Sequence, residues 1–510
     1  MPNYQSPGVY VQELEAGVRP IEGVGTAVAA FVGLASDGPL HQPTLVTNWS
    51  QFTDTFGEPV PGSYLAHAVY GYFLNGGGQA YVVRIGSPVL DAGRPEPPRA
   101  ELPAATDLAV AAYTVTAVSA EAASGAITVE VADPPEGSPE DSFRLVVRGG
   151  GREEVYEAVG TRRGRQNVVT QVNAASQLVR LAESAAEPSR RRPANATVAL
   201  TAPVAQQVAP RARDYVGDSA DRTGFGGLES IETITMVCVP DLMAAYRAGL
   251  IDREGVRAVQ TGMIDHCELM GNRMAVLDPL PDLTPQQVHD WRMHEAGYDS
   301  RFAALYWPWI KVHDPVSGAT TPIPPCGHVA GVWARNDATR GVHKAPANEV
   351  VRGVLGLQSD LTRAEHDLLN PVGINCVRAF PGRGIRIWGG RTLSSDPSWR
   401  YVNVRRLYNY VESSLLTGTQ WVVFEPNDKD LWERVIRTVR SFLFRVWQDG
   451  ALFGDTVDQA FYVRCDDELN PSEVIEAGQL VCEIGLAVVK PAEFVVFRLA
   501  QLPTGTALSE

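Results

Sequence analysis

Between Asp428 and Trp447 the chain reads DKDLWERVIRTVRSFLFRVW. Stepping round at about 100° per residue puts Leu431, Trp432, Val435, Val439, Phe442, Leu443 and Val446 on one arc, and Arg434, Arg437, Arg440 and Arg445 on the other. Such segregation predicts an amphipathic helix. Asn427 is placed to cap it, Asp428 and Asp430 put negative charge at its N-terminus, and Gly450 stops it. An arginine face is as often plain solvated surface as a docking face for an acidic partner; Phe444 is the odd apolar residue among the arginines.

The same patterning organises the rest of the chain. Near the start, GVYVQEL follows the turn residues Ser6, Pro7 and Gly8 and alternates, with Val9 and Val11 on one side and Tyr10 and Gln12 on the other. A strand there has no neighbouring hairpin partner, so it must pair far along the chain or on another molecule. Thr26 to Leu34 reads as a strand, and Trp49 to Phe56 and Tyr64 to Leu74 as helices. Gly76, Gly77 and Gly78 precede a strand, whereas phosphate-cradling loops follow one, so they predict a tight turn. Two Pro- and Arg-rich stretches, GRPEPPRAELP and EPSRRRPANA, read as linkers around short alternating strands and predict a small all-β insertion, roughly Ala104 to Pro210. From Asp214 onward, strands (ITMVCVP, RMAVLDP, ALYWPWIKVH) alternate with helices (Leu242 to Ile251, Glu254 to Asn272, Pro285 to His294, and one ending near Asp337), the signature of a mainly parallel sheet. The last third continues with INCVRAF and GIRIWGGRTL as strands, Val402 to Leu416 as a helix, QWVVFEP as a strand, the arginine-faced helix, and FYVRCDD, LVCEIGLAVV and EFVVFRL as strands.

The expected fold class is therefore α/β and α+β, multidomain: mixed-sheet core domains, an inserted small all-β domain and extended terminal strands. The boundaries are an N-terminal arm over 1–22, a middle α/β domain in two parts over 23–90 and 214–350, the β insertion over 91–213, and a C-terminal α+β domain over 351–510.

A chain of 510 residues with 45% hydrophobic content supports several cores. Its 44 basic against 59 acidic residues, net charge -15, argue against nucleic acid as a partner. The six cysteines stand singly, several inside apolar runs, and read as buried thiols in a reducing compartment. No apolar run reaches the ~18 residues of a membrane span, and the start lacks the charged and apolar regions of a signal peptide, so assembly in the cytoplasm is expected.

Candidate chemistry is sparse. Cys326 with His328, and His266 with Cys267, lack a second ligand pair at zinc-like spacing and read as structural. Asp466, Asp467 and Glu468 lack the further ligands of a calcium loop and read as a turn. Nucleotide, nucleophile-elbow and zinc-protease motifs are absent. No catalytic residue, metal or cofactor is expected. An α/β enzyme with an appended β domain and a polyvalent surface-binding protein are the rival readings.

Several stretches together resemble the contractile tail sheath family of phage tails and contractile injection systems: DYVGDSADRTGFGGLESIETITMVCVPDL, GIRIWGGRTL, YVNVRRLYNYVESSL, QWVVFEPND, FYVRCDDELN, PAEFVVFRLAQ and the amino-terminal SPGVYVQE. The likeness runs along nearly the whole chain except the insertion. It implies a mechanical, non-catalytic protein whose hexameric rings stack helically around an inner tube, with the insertion on the outer surface, and which contracts to drive the tube through an envelope. Partners would be further copies of itself, the inner tube protein, and baseplate and terminal cap proteins, without nucleic acid or direct membrane insertion. On that reading Val9, Tyr10, Val11, Phe494, Val495, Val496, Phe497 and Leu499 are donated as strands to neighbouring subunits. Arg434, Arg437, Arg440, Phe444 and Arg445 face the tube.

Overall fold

The structure is a computed structural model and describes residues 20–85, 98–105, 107–118, 127–139, 141–149, 151–162, 164, 166–183, 192–200, 210–314 and 317–497. The chain divides into two compact units, one formed by residues 1–86 with 210–510 and the other by 87–209.

The larger unit is built on a nine-stranded mixed sheet. Its strands are β1 (Val28–Gly33), β2 (Thr44–Val46), β3 (Gln79–Arg84), β4 (Met236–Cys238), β5 (Met274–Leu277), β6 (Ala303–Trp307), β7 (Glu349–Val350), β8 (Ile374–Phe380) and β9 (Gly384–Trp388), in the order β7-β9-β8-β6-β5-β4-β1-β3-β2. Six consecutive strands, β8 to β3 in that order, run parallel, and β2, β9 and β7 close the edges antiparallel. Strands in the middle of a parallel sheet are covered on both faces, which is why VAAFVG, MVC, MAVL and AALYW are apolar throughout and wholly buried.

Helices α1 (Trp49–Phe56), α2 (Leu65–Asn75), α3 (Asp241–Arg247), α4 (Arg253–Met270) and α5 (Cys326–Arg340) belong to this sheet's layers. A side chain at Gly327 or Gly331 of α5 would run into the backbone of Ala68 or Tyr72, so small residues let α2 and α5 meet almost backbone to backbone. Gly76 caps α2 in a left-handed conformation, φ 116°, so the glycine triplet is a turn leading into β3.

After the sheet the chain forms a C-terminal layer from α6 (Val402–Gly418), α7 (Lys429–Gln448), the short α8 (Ser472–Glu476) and the antiparallel hairpin of β10 (Phe461–Arg464) and β11 (Glu483–Leu486). Its core joins Leu407 and Val411 of α6 to the apolar arc of α7, and Ile21 from the start of the described chain is buried there too.

The smaller unit holds a three-stranded sheet (Arg99–Ala104, Asp107–Ala117, Val179–Glu183) and a four-stranded one (Thr128–Ala132, Ser142–Gly149, Arg152–Gly160, Ala196–Ala199), both antiparallel. It departs from the all-β expectation by one helix, Val168–Ala175. Asn167 caps it by accepting from the Thr170 amide, and burial of Val168 and Val172 overrides their β preference.

Three further expectations change. INCVRAF and GIRIWGG, placed by the sequence in the C-terminal domain, are β8 and β9 of the large sheet, because β8 pairs with β6. QWVVFEP is not a strand. Its amides are satisfied locally by successive turns (Val422 to Thr419 O, 2.9 Å; Glu425 to Val422 O, 3.1 Å), Phe424 is left-handed at φ 69°, and Pro426 has no donor for a ladder. ALYWPWIKVH is divided between sheets: beyond Pro308, Ile310–His313 pairs with Thr320–Ile323 and Val354–Leu357.

Candidate assembly surface

Helix α7 carries the arginine face. Its N-cap is Asp428, one residue later than expected, accepting from the Leu431 amide at 2.9 Å; Asn427 instead accepts from the Trp432 indole at 2.8 Å. All seven residues of the expected apolar arc are buried, joined by Thr438. On the other side, Arg434 lies over the Trp421 ring, 4.7 Å from its centroid, and reaches Glu425 at 3.2 Å. Arg440 is 3.8 Å from the almost fully exposed Asp458. Arg445 donates to the carbonyl of Ile21, and the exposed Phe444 packs at a tilt against Trp447, ring centroids 5.6 Å apart. Arg437 is exposed and, among the described residues, makes no ion pair or hydrogen bond. The face therefore divides: three arginines are engaged within the chain and Arg437 is not.

Val9, Tyr10, Val11 and Leu499 lie outside the described residues, but both chain ends can be followed to their roots. At the amino end Ile21 is buried between α6 and α7, and Gly418 gives it room, since a side chain there would lie 2.6 Å from Ile21. The Val24 amide donates to Ser414 Oγ at 3.2 Å. Next, Thr26 joins a buried ion pair. Asp337 of α5 accepts from Arg406 Nη1 at 2.9 Å, from Nη2, and from Thr26 Oγ1 at 2.6 Å. Arg406 also donates to the Thr26 carbonyl at 2.9 Å and lies over Trp333, 4.8 Å from its centroid. The two charged side chains are only 3% and 4% exposed. One ionic contact thus joins the C-terminal layer, the sheet's covering helix and the entry to β1.

At the carboxyl end the chain leaves β11, bridges Leu452 through Val488, and reaches Glu493. The Glu493 carboxylate accepts from Arg391 Nε (2.9 Å) and Nη2 (2.6 Å), Asn370 Nδ2 (2.8 Å) and Tyr401 Oη (3.1 Å). Burial opposes its ionisation, yet the hydrogen bonds from Arg391 and Asn370 outweigh that and hold its carboxyl below the usual range. Immediately beyond this clamp, Phe494, Val495, Val496 and Phe497 are 75%, 69%, 78% and 84% exposed and form no strand with the chain's own described residues. Four consecutive large apolar side chains in water are a liability unless something covers them. In the C-terminal layer, β10 and β11 pair only with each other among the described residues, leaving both outer edges of the hairpin unpaired.

The other candidates are structural in their surroundings. His328 is sealed against Gly71, and burial lowers its pKa to about 3. His266 lies 3.2 Å from buried Arg273; burial, then the nearby guanidinium, lower its pKa to about 4. The Cys326 amide donates to buried Asp278 at 2.9 Å. Asp466 accepts from the Glu468 and Leu469 amides and closes a turn, while Asp467 pairs with Lys429. No group of three or more metal-ligating side chains forms among the described residues, and none of the helices found there is long and apolar enough to cross a membrane.

The described chain is thus a mixed α/β body with a C-terminal layer, an inserted β unit and an unpaired apolar end. Comparison with known families gives it a class. The model of the phage tail sheath protein central domain matches residues 229–393 and that of the phage tail sheath C-terminal domain matches residues 394–501. The chain belongs to the contractile tail sheath family. It is 29% identical over 249 residues to a putative prophage major tail sheath protein of Pseudomonas aeruginosa, covering 48% of this chain and 61% of that protein. It is 30% identical over 198 residues to the tail sheath protein of Burkholderia phage BcepMu, covering 37% of this chain and 40% of that protein. These matches span less than two thirds of either relative. Among solved structures, the helical sheath of the anti-feeding prophage in its contracted state shares the fold at TM-score 0.59 and 22% identity, covering 98% of this chain and 99% of that one. The contracted sheath complex of an extracellular contractile injection system, PVC, does so at TM-score 0.56 and 22% identity, covering 98% and 99%.

Proposed function

We propose that the chain is the structural sheath subunit of a contractile injection machine. It polymerises in the cytoplasm as stacked hexameric rings around an inner tube, bounded by baseplate and terminal cap proteins, and contracts to drive the tube through a target envelope. It does this without catalysis. The observation that carries the reading is the carboxyl end: a clamped root at Glu493 followed by four exposed apolar residues, on a chain that also holds a hairpin with open edges.

Strand donation accounts for both halves of that arrangement. Phe494 to Phe497 and Leu499 of one subunit, with Val9, Tyr10 and Val11 of another, extend a neighbour's β10–β11 hairpin into a larger sheet. A donated strand with about six backbone hydrogen bonds at ~1 kcal/mol net each, plus its apolar burial, holds on by several kcal/mol. The root contacts transmit load from donated strand to parent body, so bodies can rotate during contraction while the mesh stays joined. The inserted β unit lies on the outer surface, and the α7 face, with Arg437 unengaged, meets the tube; exposed ionic contacts of this sort position a partner and are released at little cost.

Negative-stain electron microscopy of the purified full-length chain tests the reading. Long hollow helical cylinders are expected; discrete small oligomers at all concentrations would reject it.

A further inference from the structure

The register of the C-terminal hairpin brings two cysteines together. Phe461, Tyr462, Val463 and Arg464 of β10 face Leu486, Gly485, Ile484 and Glu483 of β11, so the next facing pair is Cys465 with Cys482. The Ala487 amide donates to the Ala460 carbonyl at 2.8 Å, which makes 460/487 a hydrogen-bonded pair. Because pairs alternate along an antiparallel ladder, 465/482 continues it as a non-hydrogen-bonded pair, the kind whose Cα atoms approach to about 4.5 Å. That separation falls within the roughly 4.4–6.8 Å that a disulfide spans.

The surroundings favour the pairing. The two thiols are within hydrogen-bonding reach of each other. Asn470 holds the loop between them: its Nδ2 donates to Cys465 Sγ at 3.6 Å and to the Val481 carbonyl at 2.9 Å, and its Oδ1 accepts from the Val481 amide at 2.7 Å. Cys465 is buried, whereas Cys482 is half-buried and thus within reach of solvent. Burial pushes the Cys482 thiol up to about 11, so the free pair reacts slowly and stays reduced where thiols are in excess. Cys238 and Cys326 also lie beside one another, but both are sealed in the core of the main unit.

We propose that Cys465 and Cys482 are a redox-responsive pair that closes to a disulfide when the subunit meets a small-molecule disulfide of the glutathione type. Cys482 gives up its proton, and its thiolate attacks one sulfur of the oxidant. A mixed disulfide forms and the first small thiolate leaves, taking up a proton. Cys465, deprotonated in turn, attacks Cys482 Sγ and expels the second small thiol. Two protein thiols are oxidised by two electrons, and one small disulfide is reduced to two thiols. The bond staples the loop carrying α8 to the hairpin. Its formation does not depend on the sheath assignment; only its consequence, a stiffened acceptor for donated strands, rests on that reading.

The test is incubation of the full-length chain with oxidised glutathione, then intact-mass measurement and peptide mapping. The expected result is loss of two hydrogens and one cross-linked peptide joining Cys465 to Cys482, abolished by Cys465→Ser and by Cys482→Ser. Cys238, Cys267, Cys326 and Cys376 should remain alkylatable after denaturation. Amide exchange of residues 461–486 that proceeds by local opening should slow roughly a hundredfold, as expected for stapling a loop of this size. Two free thiols after oxidation, or a glutathione adduct on Cys482 that never resolves into the cross-link, overturn the proposal. Cross-linking in a protein that forms no cylinders would reject the sheath reading and leave the redox pair standing.

Discussion

Replacing Asp337 by alanine removes the acceptor of a guanidinium that solvent barely reaches. Arg406 would keep only the Thr26 carbonyl at 2.9 Å and its stacking on Trp333. With both partners at most 4% exposed, the cost is that of an uncompensated buried charge, about 3–5 kcal/mol. The matching control is Asp458→Ala, whose carboxylate is 91% exposed and 3.8 Å from Arg440; it should cost no more than ~0.5 kcal/mol. Guanidinium unfolding followed by tryptophan fluorescence measures both, and all 10 tryptophans lie outside residues 87–209, so the signal reports the larger unit alone. The double variant Asp337→Leu/Arg406→Met should recover most of the loss, because it removes both charges and keeps the packing. A single-variant loss within ~1 kcal/mol of the control would refute the joint role given to this pair.

Three further outcomes follow from the same contacts. Glu493→Gln should keep the subunit folded but loosen its carboxyl end, seen as faster amide exchange in residues 488–497. Because the Glu493 carboxyl sits below its usual range, its contribution to wild-type stability is full above the ordinary glutamate pKa of about 4.3 and is lost as pH falls through the lower folded value. His328 and His266 are held neutral in the fold, whereas unfolded chains protonate them near 6.5. Each therefore removes stability as pH falls below that point, while Asp278, raised to about 7 by burial, acts in the opposite sense. Together these three groups should give a slope of roughly 1 kcal/mol per pH unit around pH 5 to 5.5 that fades towards pH 6.5, and His328→Gln should flatten it; an unchanged slope in pH-dependent denaturation contradicts the assignment. Arg434→Glu with Arg437→Glu should block extended sheath on the tube while leaving contracted sheath able to self-assemble, and unchanged extended particles by electron microscopy would return the α7 face to ordinary surface.

What the sequence disclosed and what it hid follow the range of the interactions. The buried arc of α7 was legible because a period of 3.6 is written locally, and the alternation of apolar runs with helices announced the parallel sheet. Membership of β8 and β9 in that sheet depends on pairing with β6, about 70 residues earlier in the chain, which no local pattern encodes. The key polar contacts were hidden for the same reason. Arg406 meets Asp337 across 69 positions and Arg391 meets Glu493 across 102, and a charge reads alike in sequence whether it is paired in the core or bathed in water. The one local signal was the spacing in YVNVRRLYNYV, where Arg406 falls one turn after the buried Val402. In QWVVFEP the β-branched and aromatic residues suggested a strand, but turn bonds beside Pro426 took its amides first. EFVVFRL also reads as a strand, yet its exposed residues find no pairing partner among the chain's own described residues.

The most direct measurement is on a chain lacking residues 1–14, purified beside the full-length protein and compared by sedimentation velocity and electron microscopy. If strands donated by the chain ends hold the lattice, the shortened protein stays folded and sediments as a monomer while the full-length protein forms cylinders. Cylinders of normal length and abundance from the shortened protein would contradict the account.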